Sequence, residues 1–264
     1  RSSMTDQELI VNLSHADQFY AIFCNFTHMP YVECDEETYS DKAFLFFDEE
    51  KAKEFAQTYK GGKQSLTAVK VEQNLATRFL ASLIAEGFDM LSVHDEEVYL
   101  LPIDQLITRT LQEGAKKPIE NPALQLSMMY FLQQIQIAQT EEEKEEVRSR
   151  EEEMMANIAR AVYLVPFTEM EGETDNDGER KVSITHLVNE AGDAFIPLFT
   201  DIDEFVKIRP KEGTTNFLPM SFQKIRDIKR DDNVIFIINP GSVHLQLNQH
   251  NLEAVDNRFG DQSK

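Results

Sequence analysis

The sequence predicts an α+β fold made of two pseudo-repeated modules with mixed sheets, joined by a helical hairpin. Three observations lead there. Apolar runs of strand length alternate with capped amphipathic helices in both halves, these elements recur in the same order, and the stretch between the halves has helical periodicity. The expected division is an N-terminal α+β module over residues 5–115, a hairpin over 121–161 and a second α+β module over 162–256.

In the first half, Cys24 closes the run FYAIFC, which reads as a buried strand. Ala43 to Phe47 is a second apolar strand, and Asp48 then caps a helix carrying Ala52, Phe55, Ala56 and Tyr59 on one face. Its counterpart is Ala194 to Phe199, followed by Thr200 as cap and a short helix through Ile202, Phe205 and Val206. Residues 66–71 form a strand before a helix with Leu75, Phe79, Leu83 and Ile84 on its apolar side, ended by Gly87 in a left-handed cap. The matching piece is Ser221 to Lys229, with Ser221 as N-cap and Phe222, Ile225 and Ile228 on one face. Residues 88–104 read as strand, turn, strand and helix cap, and 233–248 repeat that order before a last helix around Leu252 and Val255.

Between the modules, residues 121–139 and 141–161 predict two helices broken near Thr140. Leu124, Met128, Phe131, Leu132 and Ile135 form an apolar stripe, the Glu-rich run from Glu141 is a solvated face, and Met154, Ile158 and Val162 resume the stripe.

This hairpin, followed by Tyr163-Leu164-Val165-Pro166, then Phe195 to Asp201, then Ile237-Ile238-Asn239-Pro240-Gly241-Ser242, resembles the SseB family, the enhanced serine sensitivity proteins, over about residues 121–255. The resemblance implies a bacterial, cytoplasmic α+β module, and brings no catalytic residues to transfer. The chain departs from the simplest family pattern in its extra N-terminal half and in an acidic insertion from Glu169 to Lys181.

Composition narrows the function classes. A net charge of −21 disfavours nucleic acid and anionic membrane surfaces, because phosphate binding needs a basic patch. No run of about 18 apolar residues is present to cross a bilayer. The first residues show no secretory pattern, and two cysteines, Cys24 and Cys34, fit a reducing compartment, so a cytoplasmic protein is expected.

Each constellation that suggests chemistry lacks a part. Glu173, Asp175 and Asp177 open like a calcium loop, but the twelfth position is Ile184, and a hairpin turn through Asp177-Gly178 is the plainer reading. Cys24, His28 and Cys34 lack a second closely spaced ligand pair for zinc. Ser221-Phe222-Gln223-Lys224 has the S-x-x-K form without its companion motifs. Asn239-Pro240-Gly241-Ser242 has too few glycines for a phosphate cradle and leads into a strand, so it is a hairpin turn, with Gly241 expected at positive φ and Ser242 as an exposed hydroxyl. Loops on rigid scaffolds carry function, so Thr200, Asp201, Asn239, Pro240, Gly241 and Ser242 are the candidate binding positions. The expected function is a non-enzymatic binding or regulatory protein that takes another protein or a small ligand, with no metal or cofactor. The alternative is an enzyme built on Asp201, Asn239 and Ser242.

Overall fold

The computed structural model describes residues 3–109, 113–174, 176–208 and 216–260, and the fold is α+β. The chain divides into two compact units: residues 1–117 with 125–151, and residues 118–124 with 152–264.

The first unit begins with helix α1 (Asp6–His15), capped by a reciprocal Thr5 and Glu8 pair. Strands β1 (Gln18–Cys24), β2 (Met29–Pro30), β3 (Glu33–Cys34) and β4 (Asp41–Phe46) follow, then helix α2 (Glu49–Thr58), β5 (Leu66–Glu72), helix α3 (Gln73–Ala85), β6 (Met90–His94) and β7 (Val98–Pro102). Strand β1 pairs antiparallel with β2, β4 and β5; β3 pairs antiparallel with β4; β4 runs parallel to β6, and β6 antiparallel to β7. Central placement explains the unbroken apolar character of β1, which is covered on both faces. Asp48 caps α2 by accepting from the Lys51 N–H. That helix lays Ala52 and Ala56 on Tyr20, Ile22, Phe44 and Phe46, with Phe55 and Tyr59 packed alongside.

Helix α3 ends at Gly87, φ +97, as its sequence requires. Its buried side chains are Leu80, Leu83 and Ala85, whereas Leu75, expected on the apolar face, is exposed. Phe79 supplies the earlier contact, at 6.0 Å from the Phe19 ring, so the covered face starts one turn into the helix.

Helix α4 (Pro122–Ile137) and helix α5 (Glu141–Arg160) occupy the central segment, with Thr140 capping α5 through the Glu143 N–H. The buried stripe of α4 is wider than its apolar residues suggest, because Gln125 and Gln133 are buried with it while Ile135 is exposed. Gln133 acts as a backbone surrogate: its amide accepts from the Val32 N–H and donates to the Val32 carbonyl. Met154 and Ile158 are buried on α5, but Val162 starts the next strand and is exposed, so it does not extend the helical stripe.

The second unit holds β8 (Val162–Thr174), β9 (Arg180–Ile184), β10 (Leu187–Val188), β11 (Ala194–Leu198), helix α6 (Ile202–Lys207), β12 (Asn216–Ser221), helix α7 (Phe222–Arg226), β13 (Ile235–Ile238), β14 (Leu245–Leu247) and helix α8 (Gln249–Phe259). Strand β8 pairs antiparallel with β9 and β12, and its Leu164 makes an isolated bridge to Phe199, the residue after β11. Strand β10 is antiparallel to β11, β11 parallel to β13, and β13 antiparallel to β14. The acidic insertion lies in the β8–β9 hairpin, whose turn carries Gly178 at φ +79; Asp175 is outside the described residues.

Two local expectations change here. The N-cap of α6 is Asp201, which accepts from the Glu204 N–H, because the Thr200 hydroxyl is engaged elsewhere. The face of α6 turned inward carries Glu204, while Ile202 and Val206 are exposed. Ser221 does cap α7, accepting from the Lys224 N–H, which accounts for the S-x-x-K spacing without catalysis.

Candidate functional site

The structure brings the residues singled out from the sequence into one cluster of the second unit, where β11 and β13 end side by side. Asn239 is the joint. Its Oδ1 accepts from the Thr200 N–H at 3.0 Å and its Nδ2 donates to Thr200 Oγ1 at 2.9 Å. Thr200 Oγ1 in turn donates to Asp201 Oδ2 at 3.0 Å. Asn239 sits at φ +50, a left-handed conformation that asparagine tolerates better than most residues.

Gly241 is not at positive φ, contrary to expectation; Asn239 and His244 take the left-handed positions of this loop. Glycine is needed at 241 for space, since a Cβ there would stand 3.0 Å from Lys207 Cβ and 3.3 Å from Ile208 Cγ2. Ser242, expected to be exposed, is 3% exposed and donates its hydroxyl to the carboxylate of Glu204. Of the six candidate positions, Thr200, Asp201, Asn239 and Ser242 are buried, Pro240 is half-buried and Gly241 is exposed.

Glu204 completes this cluster and sequence reading missed it. It is 1% exposed, and Lys207 Nζ lies 2.7 Å from its Oε1. Burial pushes its carboxyl above the ordinary range, while Lys207 and Ser242 pull it back. Asp201-x-x-Glu204 has the spacing of an exposed helix start, which hid its inward orientation.

A second feature, in the first unit, is an open cavity of about 500 Å³. The turn after α2 brings Tyr59, Lys60, Lys63 and Gln64 to its lining; Lys60, Gly61 and Gly62 all take positive φ there, and a Cβ on Gly62 would meet the Gln57 carbonyl oxygen at 2.8 Å. On one wall Glu33 accepts from the hydroxyls of Tyr31, at 3.1 Å, and Tyr59, at 2.8 Å, and pairs with Lys60 Nζ at 3.0 Å. Burial first, and then the Glu33 carboxylate, raise both phenols well above their ordinary range, so they remain protonated donors.

The facing wall comes from α4 and α5. Tyr130 donates to Asp41 Oδ1 at 2.6 Å, and the Arg150 guanidinium stacks on its ring, 4.4 Å from the centroid. Arg150 lies 3.6 Å from Glu146, too long for a hydrogen bond, and donates no hydrogen bond to any described residue. Lys63 at the rim has no ion pair among the described residues, and Gln64 Oε1 is buried with no donor. Cys34 also lines the space, but burial and nearby Asp41 raise its thiol, which disfavours a thiolate nucleophile. Periodicity gives no signal for this cavity, because its residues come from four separate segments. Among the described residues, no three or more His, Cys, Asp or Glu side chains are placed to hold a metal ion.

Residues 138–254 match the family model of the SseB protein N-terminal domain. The resemblance seen in the sequence therefore stands, with its start at residue 138 instead of about 121. The SseB-matched segment contains the whole Asn239, Thr200 and Glu204 cluster, but of the cavity residues named above only Glu146 and Arg150. No curated protein matches the chain. Among solved structures, the chain is similar to Anabaena Tic22 (protein transport) at 12% identity, over 89% of this chain and 92% of that one. The TM-score of that likeness is 0.21. No described helix is long and apolar enough to cross a membrane.

Proposed function

We propose that the chain is a non-enzymatic, cytoplasmic binding or regulatory protein of the SseB type, acting on a small ligand or on another protein. The observation that carries this reading is a contrast in hydrogen bonding. Ser242 and Asn239 direct their donors to partners inside a buried cluster, whereas Arg150 and Lys63 line an open cavity and donate no hydrogen bond to a described residue. A buried, satisfied polar network holds a fold together, and an open pocket with convergent polar groups is where a ligand binds. The net charge of −21 supports a partner other than nucleic acid or an anionic membrane.

The same proposal takes the two units as a pseudo-repeat. In support, each unit has a first strand with antiparallel partners on both sides, a parallel central pair and a final antiparallel pairing.

The alternative, an enzyme built on Asp201, Asn239 and Ser242, draws on one contact: a serine hydroxyl directed at a carboxylate of raised pKa. Incubating the purified protein with a metabolite mixture and following it by mass spectrometry separates the readings. Saturable retention without turnover is expected; time-dependent consumption that is lost in Ser242→Ala supports the enzyme.

A further inference from the structure

We propose that the cavity of the first unit is a site for a small organic anion, whose carboxylate or phosphate oxygens are held by Arg150 and Lys63 after displacing Glu146. This rests on the binding-protein reading and assigns the ligand class.

Arg150 is pre-organised for the task. Its guanidinium carbon lies over the Tyr130 ring, 4.4 Å from the centroid, a contact that restrains the side chain, and the Tyr130 hydroxyl is itself held by Asp41 at 2.6 Å. A guanidinium so restrained loses little freedom when it accepts a two-oxygen ligand, and its fork matches a planar oxyanion. Its present partner is a weak competitor. Glu146 is one helical turn away on α5, its side chain is 49% exposed, and the contact is 3.6 Å long. Lys63 adds a second cation at the rim, one with no ion pair among the described residues, whereas Lys60 is already held by Glu33.

The remaining surfaces set limits on the ligand. The cavity volume falls within the range of small-molecule sites. The phenols of Tyr31 and Tyr59 are engaged by Glu33, so they offer ring surface more than donors. Gln64 donates to the Gln133 carbonyl and leaves its own oxygen without a donor, a position that a ligand hydroxyl can fill. The class is therefore a compact anion with an apolar body and a hydroxyl at some distance from the charge.

The test is a titration of the full chain followed by protein-observed NMR, with 4-hydroxybenzoate as the carboxylate probe and inorganic phosphate as the phosphate probe. Saturable binding of at least one probe is expected, and which one saturates identifies the oxyanion. Arg150→Gln should weaken it about tenfold or more, and Arg150→Lys, which keeps the charge but loses the planar fork, should also weaken it. Glu146→Gln should strengthen it about twofold by removing the competitor. Lys63→Gln provides a second, surface-exposed probe of the site and should weaken binding severalfold; thermal melts of each variant separate lost binding from lost folding. No saturable binding at millimolar probe, or binding indifferent to Arg150→Gln in a folded variant, overturns the proposal. Chemical conversion of a bound probe would overturn the non-enzymatic reading while leaving the anion site in place.

Discussion

Ser242 Oγ lies 2.9 and 2.8 Å from the two carboxylate oxygens of Glu204, and both side chains are buried. The hydroxyl proton thus joins Lys207 Nζ, 2.7 Å from Oε1, in serving a carboxylate that is 1% exposed. The contact ties the β13–β14 loop to helix α6. Removing one partner of a buried bond leaves the other desolvated, which costs more than the bond contributes when both are present.

Ser242→Ala should therefore destabilise the protein by about 1–3 kcal/mol, measured by denaturant melts. Glu204→Gln removes the buried charge yet keeps an acceptor for Ser242, so at neutral pH it should cost less than Ser242→Ala. An unchanged midpoint for Ser242→Ala would show that the hydroxyl is replaceable by solvent.

Gly241→Val should also be destabilising, by about 1–3 kcal/mol, through overpacking against Lys207 and Ile208. Gly241→Ala separates the causes. A clash at 3.0 Å lets the alanine variant recover part of the stability if the end of α6 shifts by a few tenths of an ångström.

Asn239→Ala should lose about 2–3 kcal/mol, since it removes two bonds to Thr200 and leaves a residue with a Cβ at φ +50. Asn239→Gly relieves the backbone and should recover only part of that loss. Equal melts for the two variants would place the whole effect in the side-chain bonds.

His94 makes stability depend on pH. Its ring stacks on Phe46 at 4.3 Å, and burial, aided by Lys42, lowers its pKa to about 4. The unfolded chain takes up a proton near the ordinary value of about 6.5, and the folded chain does not. Stability should accordingly fall as pH drops from about 6.5 and level off near 4, by less than the full shift implies because the ring is only partly buried. His94→Phe should flatten that segment of a melt-versus-pH curve; a slope unchanged by the substitution assigns it to other groups.

The secondary structure was largely legible, and for local reasons. Asp48 and Ser221 cap helices because a short polar oxygen beside an apolar period can satisfy the first N–H groups whatever packs later. Gly87 marks the end of α3 by its own backbone freedom. Even the candidate residues Thr200, Asp201, Asn239 and Ser242 could be selected from loop chemistry, although nothing in the sequence says that Asn239 bonds Thr200 thirty-nine positions away.

Direction of burial was not legible. Leu75 and Ile135 sit on helical apolar periods yet face solvent, while Gln133 and Glu204 look like surface residues and are buried. The periodic pattern records which residues share a face, but which face is covered depends on the partner elements that arrive from elsewhere in the chain. The sequence by itself determined the element types, most caps and the α+β class, because those follow from interactions within a few residues. Tertiary structure decided that Asn239 takes the left-handed position instead of Gly241, that Ser242 meets Glu204, and that Tyr130 and Arg150 are brought opposite Tyr59 and Lys63 around one cavity. Those outcomes depend on long-range packing, where the burial of a polar group is allowed only if a distant partner satisfies it.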